Sequence, residues 1–151
     1  MIARVHHTSF TVAEMDRSLA FYRDLLGMEV IGDQGGKGSY LATVTGFPDV
    51  EMRVVFLKPT PTSEHIIELI QYHAPMGTPA DVRTCNPGAG HICFVVEDLH
   101  SVHAKLSQAG VPFKSEPVAI AAGRHKGGYT IYGTDPDGVT IEFIQLPPGM
   151  K

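Results

Sequence analysis

Val5 to Met28 reads VHHTSFTVAEMDRSLAFYRDLLGM, and Gly90 to Val111 reads GHICFVVEDLHSVHAKLSQAGV. The two stretches follow one plan. Each opens on a histidine, His7 or His91, and runs through alternating β-favouring residues to a valine five positions on, Val12 or Val96. An acidic residue and a helical pattern follow. Leu19, Tyr22, Leu25 and Leu26 recur at helical spacing in the first copy, and Val102, Leu106 and Ala109 in the second. A glycine, Gly27 or Gly110, closes each helix, and histidine to glycine is 20 residues in one copy and 19 in the other. Agreement at that length predicts an internal repeat.

Working outward, the later halves of the copies also correspond. Ile66-Ile67-Glu68-Leu69-Ile70 and Thr140-Ile141-Glu142-Phe143-Ile144 are short apolar strands, each interrupted by one glutamate. Between helix and closing strand we place strands near 29–33 and 53–57 in the first copy, and near 117–120 and 129–132 in the second. The unit reads βαβββ. The expected fold is α+β, with two βαβββ modules forming a curved mixed sheet around a central site and helices outside. All 151 residues form a single domain in this reading, module one covering roughly 1–74 and module two roughly 88–147. Gly35-Gly36-Lys37-Gly38, Lys58 to Ser63, Ala74 to Gly90 and Gly123 to Gly128 read as connections, with Ala74 to Gly90 as the junction between modules.

Composition narrows the function. An apolar share of 43% permits a real core, while a net charge of −4 and scattered lysines and arginines exclude nucleic acid as an expected partner. The first ten residues, MIARVHHTSF, lack the apolar stretch of a secretory signal, and no later run is long enough to span a bilayer. A cytoplasmic protein without a membrane partner is expected. Cys85 and Cys93 make no CxxC pair and no disulfide framework, so both are expected as reduced thiols without a role.

Strand alternation puts His7, Ser9 and Thr11 on one face and Thr8, Phe10 and Val12 on the other. His91, Cys93 and Val95 likewise oppose Ile92, Phe94 and Val96. With Ile67, Leu69, Ile141 and Phe143 beneath the helices, Glu68 and Glu142 project the opposite way. Modules paired about a pseudo-twofold axis would let two imidazoles and two carboxylates converge. That donor set suits one divalent ion, nickel, cobalt, zinc, iron or manganese, and contains no thiolate to favour copper(I). Four protein ligands on an octahedral ion leave two adjacent positions for substrate oxygens.

These residues carry a family resemblance over nearly the whole chain. His7 to Gly27 (HTSFTVAEMDRSLAFYRDLLG), Ile67 to Ile70 (IELI), His91 to Asp98 (HICFVVED) and Asp135 to Phe143 (DPDGVTIEF) resemble the signatures of the vicinal oxygen chelate superfamily, which includes glyoxalases, bleomycin resistance proteins and dioxygenases. The order His7, Glu68, His91, Glu142 is similar to the metal ligands of bacterial-type glyoxalase I, and nearly to those of methylmalonyl-CoA epimerase. The resemblance implies a divalent-metal-dependent lyase or isomerase acting on a small carbonyl or thioester compound through a metal-stabilised enediolate or enolate. Glu142 is the first choice as general base and Glu68 the second. A homodimer is implied on the same ground. Two alternatives stand beside this. An iron(II) extradiol-type dioxygenase would use His7, His91 and Glu142 and leave Glu68 surplus. A drug-binding resistance protein would keep the fold without needing the ligands.

The remaining candidates have plainer expectations. His6 falls on the opposite strand face from His7 and is read as edge or helix-facing packing, and His65, His73, His100 and His103 as solvated. Asp135-Pro136-Asp137-Gly138 reads as a β-turn. Gly123 to Gly128 (GRHKGG) reads as a solvated hairpin rather than a mobile loop for an anionic substrate, and Tyr40 to Phe47 as a short buried segment.

Overall fold

A computed structural model describes residues 1–150. The chain divides into two compact units, Met1–Pro79 and a second beginning at Ala80, with the boundary inside the expected junction.

In the first unit, β1 (His7–Thr11) leads into α1 (Met15–Leu19), which continues as a wider π-helical turn over Ala20–Leu25. Gly27 at φ +80° then reverses the chain, a left-handed conformation that residues with a Cβ rarely adopt. Three more strands follow, β2 (Glu29–Lys37), β3 (Glu51–Lys58) and β4 (Ile66–Ala74). Their sheet order is β1-β4-β3-β2, with β1 and β4 parallel and the other pairs antiparallel. Met15, Leu19 and Tyr22, at helical spacing, are buried against Val55, Leu57, Ile67 and Leu69 of the sheet, and Phe10 stacks on Tyr22 at 6.3 Å between ring centroids.

The second unit repeats the plan with β5 (His91–Val95), α3 (Leu99–Gln108), β6 (Val118–Ala119), β7 (Tyr129–Thr134) and β8 (Thr140–Gln145). Its order, β5-β8-β7-β6, matches the first sheet strand for strand, again with the first and last strands parallel. The fold is therefore α+β, with two four-stranded mixed sheets. On its helix side Phe143 is buried and meets Phe94 at 6.2 Å and Phe113 at 6.3 Å.

A matching device joins strand to helix in both units. Gln71, three residues after Glu68, accepts a hydrogen bond from the backbone N–H of Met15 at 2.9 Å, and Gln145, three after Glu142, accepts one from Leu99 N–H at 2.9 Å. Each amide oxygen satisfies a first-turn N–H that the helix itself leaves without a partner.

Several sequence expectations need correction. Gly35, Gly36 and Lys37 belong to β2, paired with Arg53, Met52 and Glu51. At Gly36 a Cβ would lie 2.6 Å from Leu41 Cδ1, so a larger residue would require the Leu41 side chain to turn aside. The segment expected to be buried near Tyr40 is a helix, α2 (Ser39–Thr45), none of whose residues is buried; Leu41 and Ala42 pack half-buried on Val50, Met52 and Val54. This helix has no counterpart in the second unit. His103 is not solvated, since it stands edge-on to Phe113 at 4.8 Å and meets Glu116 at 3.3 Å, and His65 Nε2 lies 2.9 Å from the Thr8 hydroxyl. The Asp135 turn and the GRHKGG hairpin are as expected. Asp135 Oδ1 accepts from Asp137 N–H at 2.9 Å and Val139 N–H at 2.8 Å, and Ile120 N–H donates to Gly128 O at 2.9 Å. No helix is long and apolar enough to cross a membrane among the described residues.

Candidate metal centre

Each pair of first and last strands runs in the same register. Ser9 lies across from Glu68 and Cys93 across from Glu142, so His7 and His91 each stand two residues before the glutamate's partner, on the same face. The side chains meet as this register requires. His7 Nε2 is 3.5 Å from Glu68 Oε2, and His91 Nε2 is 3.2 Å from Glu142 Oε2. The glutamates are mostly covered, with 15% and 18% of their side chains exposed, while the imidazoles are more open at 40% and 38%.

The chemistry of the donors fits a metal ion. Nitrogen and oxygen ligands bound at about 2.1 Å and at right angles stand about 3 Å apart, a spacing that the His91 and Glu142 pair approaches at 3.2 Å and the His7 and Glu68 pair exceeds at 3.5 Å. Neutral imidazole and ionised carboxylate are also the forms in which these groups ligate. The structure brings the four predicted residues together as two pairs, one in each unit. Among the described residues, no three His, Cys, Asp or Glu side chains stand together as a ligand set.

Around the pairs are residues that the sequence did not single out. His6, expected to pack, is exposed and precedes the strand; its Nδ1 lies 2.9 Å from Nδ1 of His7. One of these two nitrogens must carry the proton. If His7 carries it, its Nε2 lone pair is directed toward the Glu68 side, the orientation that ligating histidines receive from an outer partner. In the second unit the Thr130 hydroxyl donates to Glu142 Oε1 at 2.7 Å, and the Tyr132 ring lies 5.3 Å from that of His91. Tyr132 pairs with Glu142 across the sheet. Period-two alternation in Tyr129 to Thr134 puts Thr130 and Tyr132 on one face, but which face depends on a register that only pairing reveals.

Electrostatics follow from this crowding. Burial, and then the neighbouring Glu142 carboxylate, push the Cys93 thiol up to about 12. Cys93 is thus a neutral thiol on the glutamate's face and not a thiolate ligand, in keeping with the reduced cysteine expected. Burial, then Glu142 and Cys93, likewise raise the Tyr132 hydroxyl above the usual phenol range.

The family model described as the Glyoxalase/Bleomycin resistance protein/Dioxygenase superfamily matches residues 4–143. A probable lactoylglutathione lyase from Synechocystis sp. is 32% identical over 141 residues, covering 92% of each chain. A 2-epi-5-epi-valiolone epimerase from Actinomyces sp. is 28% identical over 155 residues, covering 96% of this chain and 80% of that one. Among solved structures, a glyoxalase family protein from Bacillus cereus superimposes with a TM-score of 0.81 at 21% identity, covering 97% of this chain and 96% of that chain, a likeness of fold.

Proposed function

Because the chain belongs to the glyoxalase, bleomycin resistance protein and dioxygenase superfamily, we propose that it is a divalent-metal-dependent lyase or isomerase acting on a small carbonyl compound. The observation that carries this reading is the duplicated histidine and glutamate pair, built at one register in both units with donor atoms at ligand-like separation. His7, Glu68, His91 and Glu142 are the proposed ligands of one ion, supplied within one chain or across a homodimer. The ion could be nickel, cobalt, zinc, iron or manganese.

When bound, the ion supplies polarisation of a substrate carbonyl and so acidifies the neighbouring C–H. The chain's own task is to hold the substrate's adjacent oxygens in place and to move the α-proton. We assign the proton transfer to two carboxylates, Glu68 and Glu142. The names of the relatives, a lyase and an epimerase, agree with a proton-moving reaction. Glu68 is built against His7 in the same way as Glu142 against His91, so the dioxygenase alternative, which would leave Glu68 without a task, gains no support.

The test is metal analysis of protein purified without chelators, followed by a screen of α-hydroxy carbonyl compounds for proton exchange in D₂O. His7→Ala and His91→Ala should each lose the metal while keeping the circular dichroism of a folded protein, because both rings face away from the helix-packing core. Near-stoichiometric metal in the double variant would sink the ligand assignment.

A further inference from the structure

The two glutamates are equivalent by repeat but not by surroundings. By register Tyr132 stands opposite Glu142 where Phe56 stands opposite Glu68, and Thr130 stands opposite Ile144 where Val54 stands opposite Ile70. The second unit therefore offers hydroxyls at two positions where the first offers a benzyl ring and an isopropyl group. One of these hydroxyls is engaged. Thr130 Oγ1 lies 2.7 Å from Glu142 Oε1 and 3.3 Å from the Phe143 carbonyl, and its single proton goes to the nearer, charged acceptor. With Oε1 held by Thr130 and Oε2 facing His91 at 3.2 Å, both oxygens of Glu142 are committed. Glu68 meets His7 through Oε2. Val54, at the position of Thr130, is buried beneath α2 and has no proton to donate.

We propose that Thr130 is a positioning residue that fixes Glu142 as the permanent metal ligand, and that Glu68 is the mobile carboxylate of the set. This rests on the metal-dependent reading above. A carboxylate tied at one oxygen presents the other in a set direction, so less conformational freedom is lost when the ion binds. To leave the ion, Glu142 would have to break a charge-assisted hydrogen bond or carry Thr130 with it, whereas Glu68, which meets no hydroxyl donor among the described residues, can rotate without breaking one. The general-base preference given to Glu142 on resemblance therefore passes to Glu68. No covalent or redox step is involved in the positioning itself.

The experiment is titration of the metal-free full-length protein with cobalt(II) alone, read by its d–d absorption and by competition with a chelating dye. Thr130→Val, which keeps the shape and removes the hydroxyl, should weaken cobalt(II) binding about 10-fold or more, the usual cost of losing an outer-shell partner. Thr130→Ser should restore it, and circular dichroism of the metal-free protein should show both variants folded. Glu142→Gln should weaken cobalt(II) more than Glu68→Gln does. Wild-type affinity in Thr130→Val overturns the inference, as does a larger loss in Glu68→Gln than in Glu142→Gln. If Thr130→Val fails to fold, Thr130→Ala is read in its place. A wild-type protein that binds no cobalt(II) instead overturns the metal reading itself, and this inference with it.

Discussion

Glu68 and Glu142 occupy matching places in a repeat, yet one is tied to a hydroxyl and the other lies beside apolar walls, and their substitutions should differ accordingly. Glu68→Gln keeps an oxygen for the ion but cannot accept a proton as a carboxylate does. With metal restored by excess ion, turnover or α-proton exchange should fall about 10²–10⁴-fold, the usual contribution of a general base. A remetallated Glu68→Gln protein that exchanges at the wild-type rate would remove Glu68 from the chemistry.

At the scale of elements, a glutamine rather than a residue of the helix itself meets the first helical N–H in each unit. Asp98 also caps α3, accepting from Ser101 N–H at 3.1 Å, so Gln145 adds to an existing cap. Gln145→Ala should still cost about 1 kcal/mol in urea unfolding, the typical net value of one such hydrogen bond; a neutral result would mean that water replaces it freely. Arg53 joins three elements, donating to Asp33 on β2 at 2.7 and 3.0 Å and to Asp16 on α1 at 2.9 Å. The guanidinium holds the Asp33 carboxyl below its ordinary value. A carboxylate lowered in the folded state adds stability above its unfolded value of about 3.9 and loses it as pH falls through that value and below. These groups are substantially exposed, so solvent screening limits the gain to about 1 kcal/mol or less. Arg53→Met should therefore be slightly less stable than wild type at pH 7, with the gap closing below about pH 4 in thermal melts. A gap that widens in acid would show that the pairing is not its source.

For the whole molecule, opposite faces of one strand serve opposite purposes. Phe143 is 3% exposed on the helix side of β8, next to Glu142 on the other. Phe143→Ala should destabilise by about 3–5 kcal/mol, as large-to-small changes in a core do, while the metal binding proposed for the His91 and Glu142 pair should persist once the protein is folded. Phe94 is only half-buried and should cost less when truncated. Loss of metal with retained stability in Phe143→Ala would contradict this division of faces.

The repeat, the strand parity and the helix ends were legible in the sequence because each rests on local periodicity. Alternation places Phe10 and Phe94 under the helices, and positive-φ glycines at 27 and 110 end the helical stretches. Even the spacing from glutamate to glutamine is written twice in the chain, although its capping role could not be read without the fold. Other features depended on pairing between distant strands. β2 runs on through Gly35 and Gly36 because β3 supplies partners for their backbone, which outweighs the turn preference of glycine. The helix at Ser39–Thr45 needs only two half-buried residues to dock, too weak a pattern to separate from a buried strand. Thr130 is one more threonine until the register of β7 on β8 brings its hydroxyl to Glu142, twelve residues away in sequence. Sequence periodicity fixes which face a residue occupies within its own strand, whereas its neighbour across the sheet is set by hydrogen-bonded register, a property of two segments together.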